Sequence, residues 1–204
     1  MRLLCISASN SFREGITETS SFMICQRIIH EAKRKVPQAD CSVIELKYRA
    51  PNPCIDCAKC LSSRRCAIDD VFNEIYEEII ACDGLFIVSP HYAPIPAKLC
   101  MILEKMESIS FNPWQKDNDH KSEVYGIPTG IISYGGTGEE WALRDYARVV
   151  NIPIANALHT IQLKVVPYND EWKKGISVPP VAENQDSSLE DYVGKVIKIL
   201  TEVS

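Results

Sequence analysis

Four cysteines fall within thirteen residues: Cys54, Cys57, Cys60 and Cys66, in the spacing Cys-x2-Cys-x2-Cys-x5-Cys. Three thiols in seven residues can wrap one compact body from one short turn, and a fourth arrives from just beyond. A cubane cluster presents four irons at separate corners and tolerates this crowding. Zinc more commonly takes two Cys-x2-Cys pairs separated by a longer connection. The ferredoxin run ends Cys-x3-Cys-Pro, and its fourth cysteine serves another cluster. Here the last gap is five residues and no proline follows, so a self-contained four-ligand site is the simpler reading. Three chemistries stay open: an iron–sulfur cluster, a zinc ion, or thiols without metal. Lys59, Arg64 and Arg65 lie close in sequence and could offset the negative charge of thiolates.

The chain has nine cysteines in all, an odd number, and opens Met-Arg-Leu-Leu-Cys-Ile-Ser without a long apolar leader. A secreted disulfide framework does not fit, and a reducing cytoplasm is the expectation. The other five, Cys5, Cys25, Cys41, Cys82 and Cys100, are scattered mostly through apolar segments and read as small buried hydrophobes.

Three further segments have ligand-binding chemistry. Residues 7–20 carry Ser7, Ser9, Ser11, Arg13, Thr17, Thr19 and Ser20 between an apolar run and an amphipathic one. A hydroxyl-rich loop running into a helix N-terminus receives phosphate through hydroxyls, free backbone N–H groups and the helix dipole. It has neither Gly-Lys-Ser/Thr nor Gly-x-Gly-x-x-Gly, so a terminal phosphomonoester such as that of FMN suits it better than a pyrophosphate. A plain helix cap is the alternative. Residues 89–96, Ser-Pro-His-Tyr-Ala-Pro-Ile-Pro, are stiffened by three prolines and present His91 and Tyr92. Residues 133–138, Ser-Tyr-Gly-Gly-Thr-Gly, permit close backbone approach or simply form a tight turn.

These segments need elements to hold them. Apolar runs at 2–7, 42–46, 84–89, 127–134 and 161–167 read as strands. Helical spacing marks about 17–36 (Phe22, Cys25, Ile29, Ala32, Val36), a helix capped by Asp69-Asp70 (Val71, Ile75, Ile79, Cys82) and one begun at Pro96 (Leu99, Ile102 or Leu103, Met106). It also marks 139–150 and 188–203. Segments 108–125 and 168–186 read as loops. Strands alternating with helices imply an α/β fold. The expected form is a doubly wound five-stranded parallel sheet of flavodoxin-like order 2-1-3-4-5, with helices on both faces. Its ligands sit at the carboxyl ends of strands one, three and four. The cysteine segment, 53–66, is then inserted between strand two and helix two, at the same edge.

Composition fits one globular domain spanning 1–204: 204 residues, 46% hydrophobic and 24% charged. The net charge of −5 argues against electrostatic nucleic-acid binding. No apolar run reaches the roughly 20 residues of a membrane span.

With these residues in view, the chain resembles the iron–sulfur flavoproteins of the flavodoxin-like, NADPH-dependent FMN reductase group. The resemblance rests on Pro53-Cys54-x2-Cys57-x2-Cys60-x5-Cys66-Ala67-Ile68-Asp69-Asp70, on the strand Asp83-Gly84-Leu85-Phe86-Ile87-Val88-Ser89-Pro90-His91-Tyr92, and on the Ser133-x-Gly135-Gly136 turn. It covers residues 1–150 well. Ala8 and Asn10 depart from the family's Ser-Gly-Ser-Pro-Arg, Arg13 sits later than the usual arginine, and Ala93-Pro94 changes the wall beside the ring. The resemblance implies FMN held at its phosphate by Ser7, Ser9, Ser11, Thr17, Thr19 and Ser20. Pro90, His91, Tyr92, Ala93 and Ile95 would flank the ring on one side, and Ser133, Gly135 and Gly136 on the other. It implies a 4Fe–4S cluster on the four cysteines and a homo-oligomer, dimer or tetramer. The expected function is electron transfer between flavin and cluster, with a small-molecule or protein donor and acceptor and no residue acting as acid or base. Two alternatives are an FMN-dependent NAD(P)H reductase of quinones, nitro- or azo-compounds without a working cluster, and a non-enzymatic metal-binding or redox-sensing module.

Overall fold

The apolar runs become a parallel sheet in which the central strands are covered on both faces. In the computed structural model, which describes residues 1–12, 18–117, 119–135, 139–166, 174–179 and 187–203, these strands are β1 (Arg2–Ser7), β2 (Asp40–Glu45), β3 (Gly84–Pro90) and β4 (Pro128–Tyr134). Every residue of β3 and β4 is buried. The order is β2-β1-β3-β4-β5, as expected of a flavodoxin-like sheet. Side chains alternate along β1. Leu3 and Cys5 join Ile24, Ile28, Val193 and Val196 on one face, whereas Leu4 and Ile6 join Ile75, Leu99, Ile102 and Ile154 on the other. Each such fully buried aliphatic side chain contributes about 1.5–3 kcal/mol.

Helices α1 (Ser20–Lys35) and α7 (Ser187–Val203) cover the first face. Helices α3 (Asp70–Ile80), α4 (Ala97–Lys116) and α6 (Ile152–Thr160) cover the second. A single turn, α2 (Cys60–Ser63), lies inside the cysteine segment, and α5 (Glu140–Tyr146) runs through a π-helical turn, Ala147–Asn151, into α6.

The fifth sheet position differs from the expected single strand over 161–167. β5 (Lys164–Val165) pairs only with Pro128 and Thr129. β6 (Ile176–Val178), from a segment read as loop, pairs with Ile132–Tyr134. Gly175 makes that entry possible: its φ is +81°, and a Cβ there would strike the Ile131 carbonyl. Between the two short strands the ladder is completed by a side chain. The Tyr192 hydroxyl accepts from Ile131 N–H (2.9 Å) and donates to the Val166 carbonyl (3.0 Å).

Three helical readings are also corrected. The buried face of α1 is Ser21, Ile24, Cys25, Ile28, Glu31 and Ala32, whereas Phe22, Ile29 and Val36 are half-buried. Two polar residues on the inner face displaced the apparent stripe. α4 continues through Ser108, Ile109 and Ser110 to Lys116, into the supposed 108–125 loop, because its apolar spacing carries on to Ile109. The helix read at 139–150 continues to Thr160. Pro153, which looks like a stop, stands just after the π-helical turn Ala147–Asn151, where the regular i→i−4 ladder is already interrupted. Of the five scattered cysteines, Cys5, Cys25 and Cys82 are buried and Cys41 is half-buried, but Cys100 is exposed on the outer side of α4.

Candidate functional site

The cysteine segment leaves the carboxyl end of β2 and returns at the N-terminus of α3. Cys54, Cys57, Cys60 and Cys66 all line one cavity of about 40 Å³, walled by Leu61, Ile68 and Ile109 among others. The Asp56 N–H donates to Cys54 Sγ (3.4 Å). Burial pushes the Cys60 thiol up, and the negative charges of Cys54, Cys66 and Cys57 add to it, so the four sulfurs sense one another. Among the described residues no three His, Cys, Asp or Glu side chains converge as ligands of a single metal ion.

Wrapping this cavity strains the backbone. Asp56, Ala58 and Arg64 adopt left-handed φ values of 50°, 57° and 59°, at about 1–2 kcal/mol each. Polar ties outside the cavity hold the shape. The Asp69 carboxylate caps α3 by accepting from Phe72 N–H (3.2 Å) and also accepts from Asn52 N–H (2.7 Å), closing the two ends of the segment on each other. The Asn73 amide brackets the Cys66 backbone with two bonds of 2.8 Å.

Arg64 donates to the Ile109 carbonyl at 3.1 Å. That carbonyl is the one deprived of its helical partner by Pro113, four residues on. Arg65 is drawn off to Glu77 (2.5 Å) and Glu123 (2.7 Å), and Lys59 is exposed. The cations expected to face the thiols are therefore structural ties or solvated. The cation on the cavity wall is Lys105 of α4, paired with Asp69 and almost fully buried. Sequence reasoning missed it, although a lysine spaced three from Ile102 and four from Ile109 is a charge on a core stripe.

At the neighbouring carboxyl ends, Ser7, Ser9 and Thr19 are buried, and Ser11 and Ser20 are half-buried. The Ser7 and Thr19 hydroxyls and the Ser9 N–H gather on a residue that sequence reasoning passed over, Ser21. Its Oγ lies 2.6 Å from Ser7 Oγ and 3.4 Å from Thr19 Oγ1, and accepts from Ser9 N–H (3.3 Å). The signal available was a serine in the first turn of a helix opened by Thr19, which caps it by accepting from Phe22 N–H (3.3 Å). No acidic residue occupies that first turn, so the positive end of the dipole is left for an anion. Asn10 Oδ1 is buried without a hydrogen-bond partner among the described residues, an acceptor suited to a ligand hydroxyl. Burial pushes the Tyr134 hydroxyl, which faces Ser21 and Ser9, up to about 12, so it is a neutral donor at ordinary pH.

The β3 loop is tied to the end of β4 by His91 N–H donating to the Tyr134 carbonyl (3.0 Å). Pro90 is buried in the sheet, Ile95 is half-buried, and His91, Tyr92 and Ala93 are exposed. Ala93 holds a φ of +51°. Across from it, a Cβ on Gly135 would collide with the ring of Tyr146, and that ring lies 5.0 Å from His91. Ser133 is turned into the sheet, 2.6 Å from the Ser177 hydroxyl. Arg13, Thr17 and Gly136 lie outside the described residues.

A hydroxyl nest at β1–α1, two facing loops at β3 and β4, and a match of residues 1–164 to the family model "NADPH-dependent FMN reductase" agree. The chain belongs to the NADPH-dependent FMN reductase family. Members of this family are FMN-dependent oxidoreductases by description. A curated relative, an iron-sulfur flavoprotein of Methanosarcina thermophila, is 29% identical over 84 residues, 40% of this chain and 44% of the relative, so the match spans less than half of that protein. Solved structures share the fold. An oxidoreductase of Corynebacterium diphtheriae superposes with a TM-score of 0.60 at 17% identity, over 100% of this chain and 98% of that one. An NADH:FMN oxidoreductase in its apo form gives 0.61 at 14%, over 97% and 89%. Among the described residues no helix is long and apolar enough to cross a membrane.

Proposed function

We propose that this protein is an FMN-dependent oxidoreductase in which flavin exchanges electrons with an iron–sulfur cluster bound by Cys54, Cys57, Cys60 and Cys66. The observation that carries the reading is the convergence of all four thiols on one apolar-walled cavity at the ligand-binding edge of the sheet. Four thiols along one cavity, no three of them gathered for a single ion among the described residues, suit a polyatomic cluster better than a single zinc ion. FMN, when bound, supplies both hydride and single-electron chemistry. The chain's own residues bind and orient. Ser7, Ser9, Thr19 and Ser21 offer hydroxyls to the phosphate at the α1 N-terminus, with Ser11, Arg13, Thr17 and Ser20 as further donors. His91, Tyr92, Ala93 and Ile95 would form one wall for the ring, and the turn after β4 at Gly135 would form the other. The cluster would rest on the cysteine segment, whose apolar walls limit water. Phe12, Tyr48, Ile55, Ile68 and Tyr92 are large apolar side chains exposed on the segments of this edge, which supports a homo-oligomer burying it.

A second reading is favoured by the family description itself: an NAD(P)H-dependent FMN reductase acting on small acceptors without a cluster. One experiment separates the two. The protein is purified without oxygen, reconstituted with FMN, iron and sulfide, and assayed for iron, labile sulfide and flavin. Near four iron and four sulfide per flavin, lost in Cys60→Ser with flavin retained, supports electron exchange with a cluster. Flavin uptake with neither iron nor sulfide establishes the second reading, and failure to take up FMN refutes both.

A further inference from the structure

Tyr146, the last residue of α5, reaches the ligand-binding edge from outside the loops that form it, and it meets both of them. Its ring occupies the place a side chain at Gly135 would take: a Cβ there would overlap Cε2, Cζ and the hydroxyl oxygen of Tyr146. The φ of Gly135 lies outside the left-handed region. The backbone at that position therefore asks for no glycine, and the neighbouring ring does. The same ring lies 5.0 Å from the His91 imidazole, with 33° between the planes, inside the roughly 4.5–7 Å of packed aromatic rings. The two loops are also joined along the backbone, by His91 N–H donating to the Tyr134 carbonyl (3.0 Å), and the Tyr134 hydroxyl faces Ser21 and Ser9. One run of contacts thus leads from the hydroxyl nest through Tyr134 to Gly135, Tyr146 and His91. The π-helical turn Ala147–Asn151 follows Tyr146 directly. Its extra residue turns α5 by roughly 100° about the helix axis relative to the buried stripe of α6, Ile154 and Leu158. That residue sets the direction in which Tyr146 leaves the helix.

We propose that Tyr146 is a positioning residue for the flavin ring: packed over Gly135 and against His91, it sets the separation of the β3 and β4 loops between which the ring is held. The inference rests on the FMN reading above, adds to it a residue that neither loop supplies, and is independent of the cysteines. Gly135 is then glycine to admit this tyrosine, not to let a ligand approach the backbone. Tyr146 acts through its two neighbours and touches no reacting atom. Its side chain is half-buried, so truncating it loosens the two loops without emptying the core. A Cβ at position 135 has the same effect by displacing the ring from His91.

Four variants of the full chain carry the test: Gly135→Ala, Tyr146→Ala, the double variant Gly135→Ala/Tyr146→Ala, and Tyr146→Phe as the conservative rescue. FMN affinity is read by quenching of flavin fluorescence. At saturating FMN, the visible circular dichroism of the bound flavin reports the surroundings of its ring. The two single alanine variants should each bind FMN about tenfold more weakly, with the double variant within about threefold of Tyr146→Ala, because changes acting through one contact do not add. The dichroism should change in Tyr146→Ala and be kept in Tyr146→Phe, whose affinity should stay within about threefold of wild type. If Gly135→Ala alone does not fold, folding regained in the double variant, where the ring is gone, supports the contact, and the dichroism of Tyr146→Ala decides its role. A loss in the double variant that multiplies to about a hundredfold overturns the proposal, since Gly135 would then serve the ligand directly. Unchanged dichroism in Tyr146→Ala, or a Tyr146→Phe as weak as Tyr146→Ala, also overturns it. Wild-type protein that binds no FMN overturns the FMN reading itself.

Discussion

Tyr192→Phe isolates one hydroxyl at the weakest point of the sheet. The ring is buried in the α7 face and phenylalanine keeps it, so packing changes little. What disappears is the bridge between Ile131 N–H and the Val166 carbonyl, at 2.9 and 3.0 Å. Neither strand can replace it, because β5 ends its pairing at Thr129 and β6 begins at Ile132. Each backbone group left buried without a partner costs about 1–3 kcal/mol, so the variant should lose about 2–6 kcal/mol. For a chain of this length 1 kcal/mol moves Tm by about 2–4 °C, which predicts a fall of at least about 4 °C. Thermal and urea unfolding of the two proteins measure it, with amide exchange at Ile131 as the local readout. A loss below about 1 kcal/mol with Ile131 still protected would show that the hydroxyl does not complete the ladder.

Three other outcomes follow from the geometry. Ser21→Ala removes the hydroxyl on which Ser7, Ser9 and Thr19 converge; FMN affinity, read by flavin fluorescence quenching, should drop about tenfold, since one or two hydrogen bonds are worth about 1 kcal/mol each. Ala93→Gly relieves a left-handed alanine and should raise stability by up to about 1 kcal/mol by denaturant melts. The hydrogen bond from Arg34, then that from Lys35, holds the Glu31 carboxyl below its ordinary value. That stabilisation is fully present above the unfolded carboxylate pKa of about 4.3 and disappears as pH falls through the lower folded value. Glu31→Gln should therefore flatten the acid limb of a stability–pH profile while lowering stability at neutral pH.

The apolar runs of β1, β3 and β4 were legible because a strand buried on both faces has no polar positions to confuse it. The Asp69 cap was legible for the opposite reason, since a carboxylate before an amphipathic run has one common local use. What escaped were positions where a polar residue faces inward. Ser21 and Glu31 turned the apparent stripe of α1, and Lys105 sat on the inner stripe of α4, because helical periodicity counts apolar residues and these three answer to partners distant in sequence. β6 escaped because three residues carry too little pattern, and its ladder is completed by Tyr192. At the site, type and spacing drew attention to the four cysteines and the hydroxyl loop. Tyr146 beside Gly135 was not, because α5 brings it there from outside the loop.

Pro113 carries a consequence for how the site is filled. By denying Ile109 its helical partner it leaves an open carbonyl, and Arg64 of the cysteine segment occupies it. With the Asn52–Asp69 closure and the Asn73 bracket, the segment is anchored by protein groups alone. A metal group held by this segment would therefore not have to supply the roughly 1–2 kcal/mol per residue that fixing a floppy loop would demand. Replacing Pro113 with a residue that has an N–H would mend the helix and evict the arginine. A helix made more regular would then leave the cysteine segment with one tie fewer.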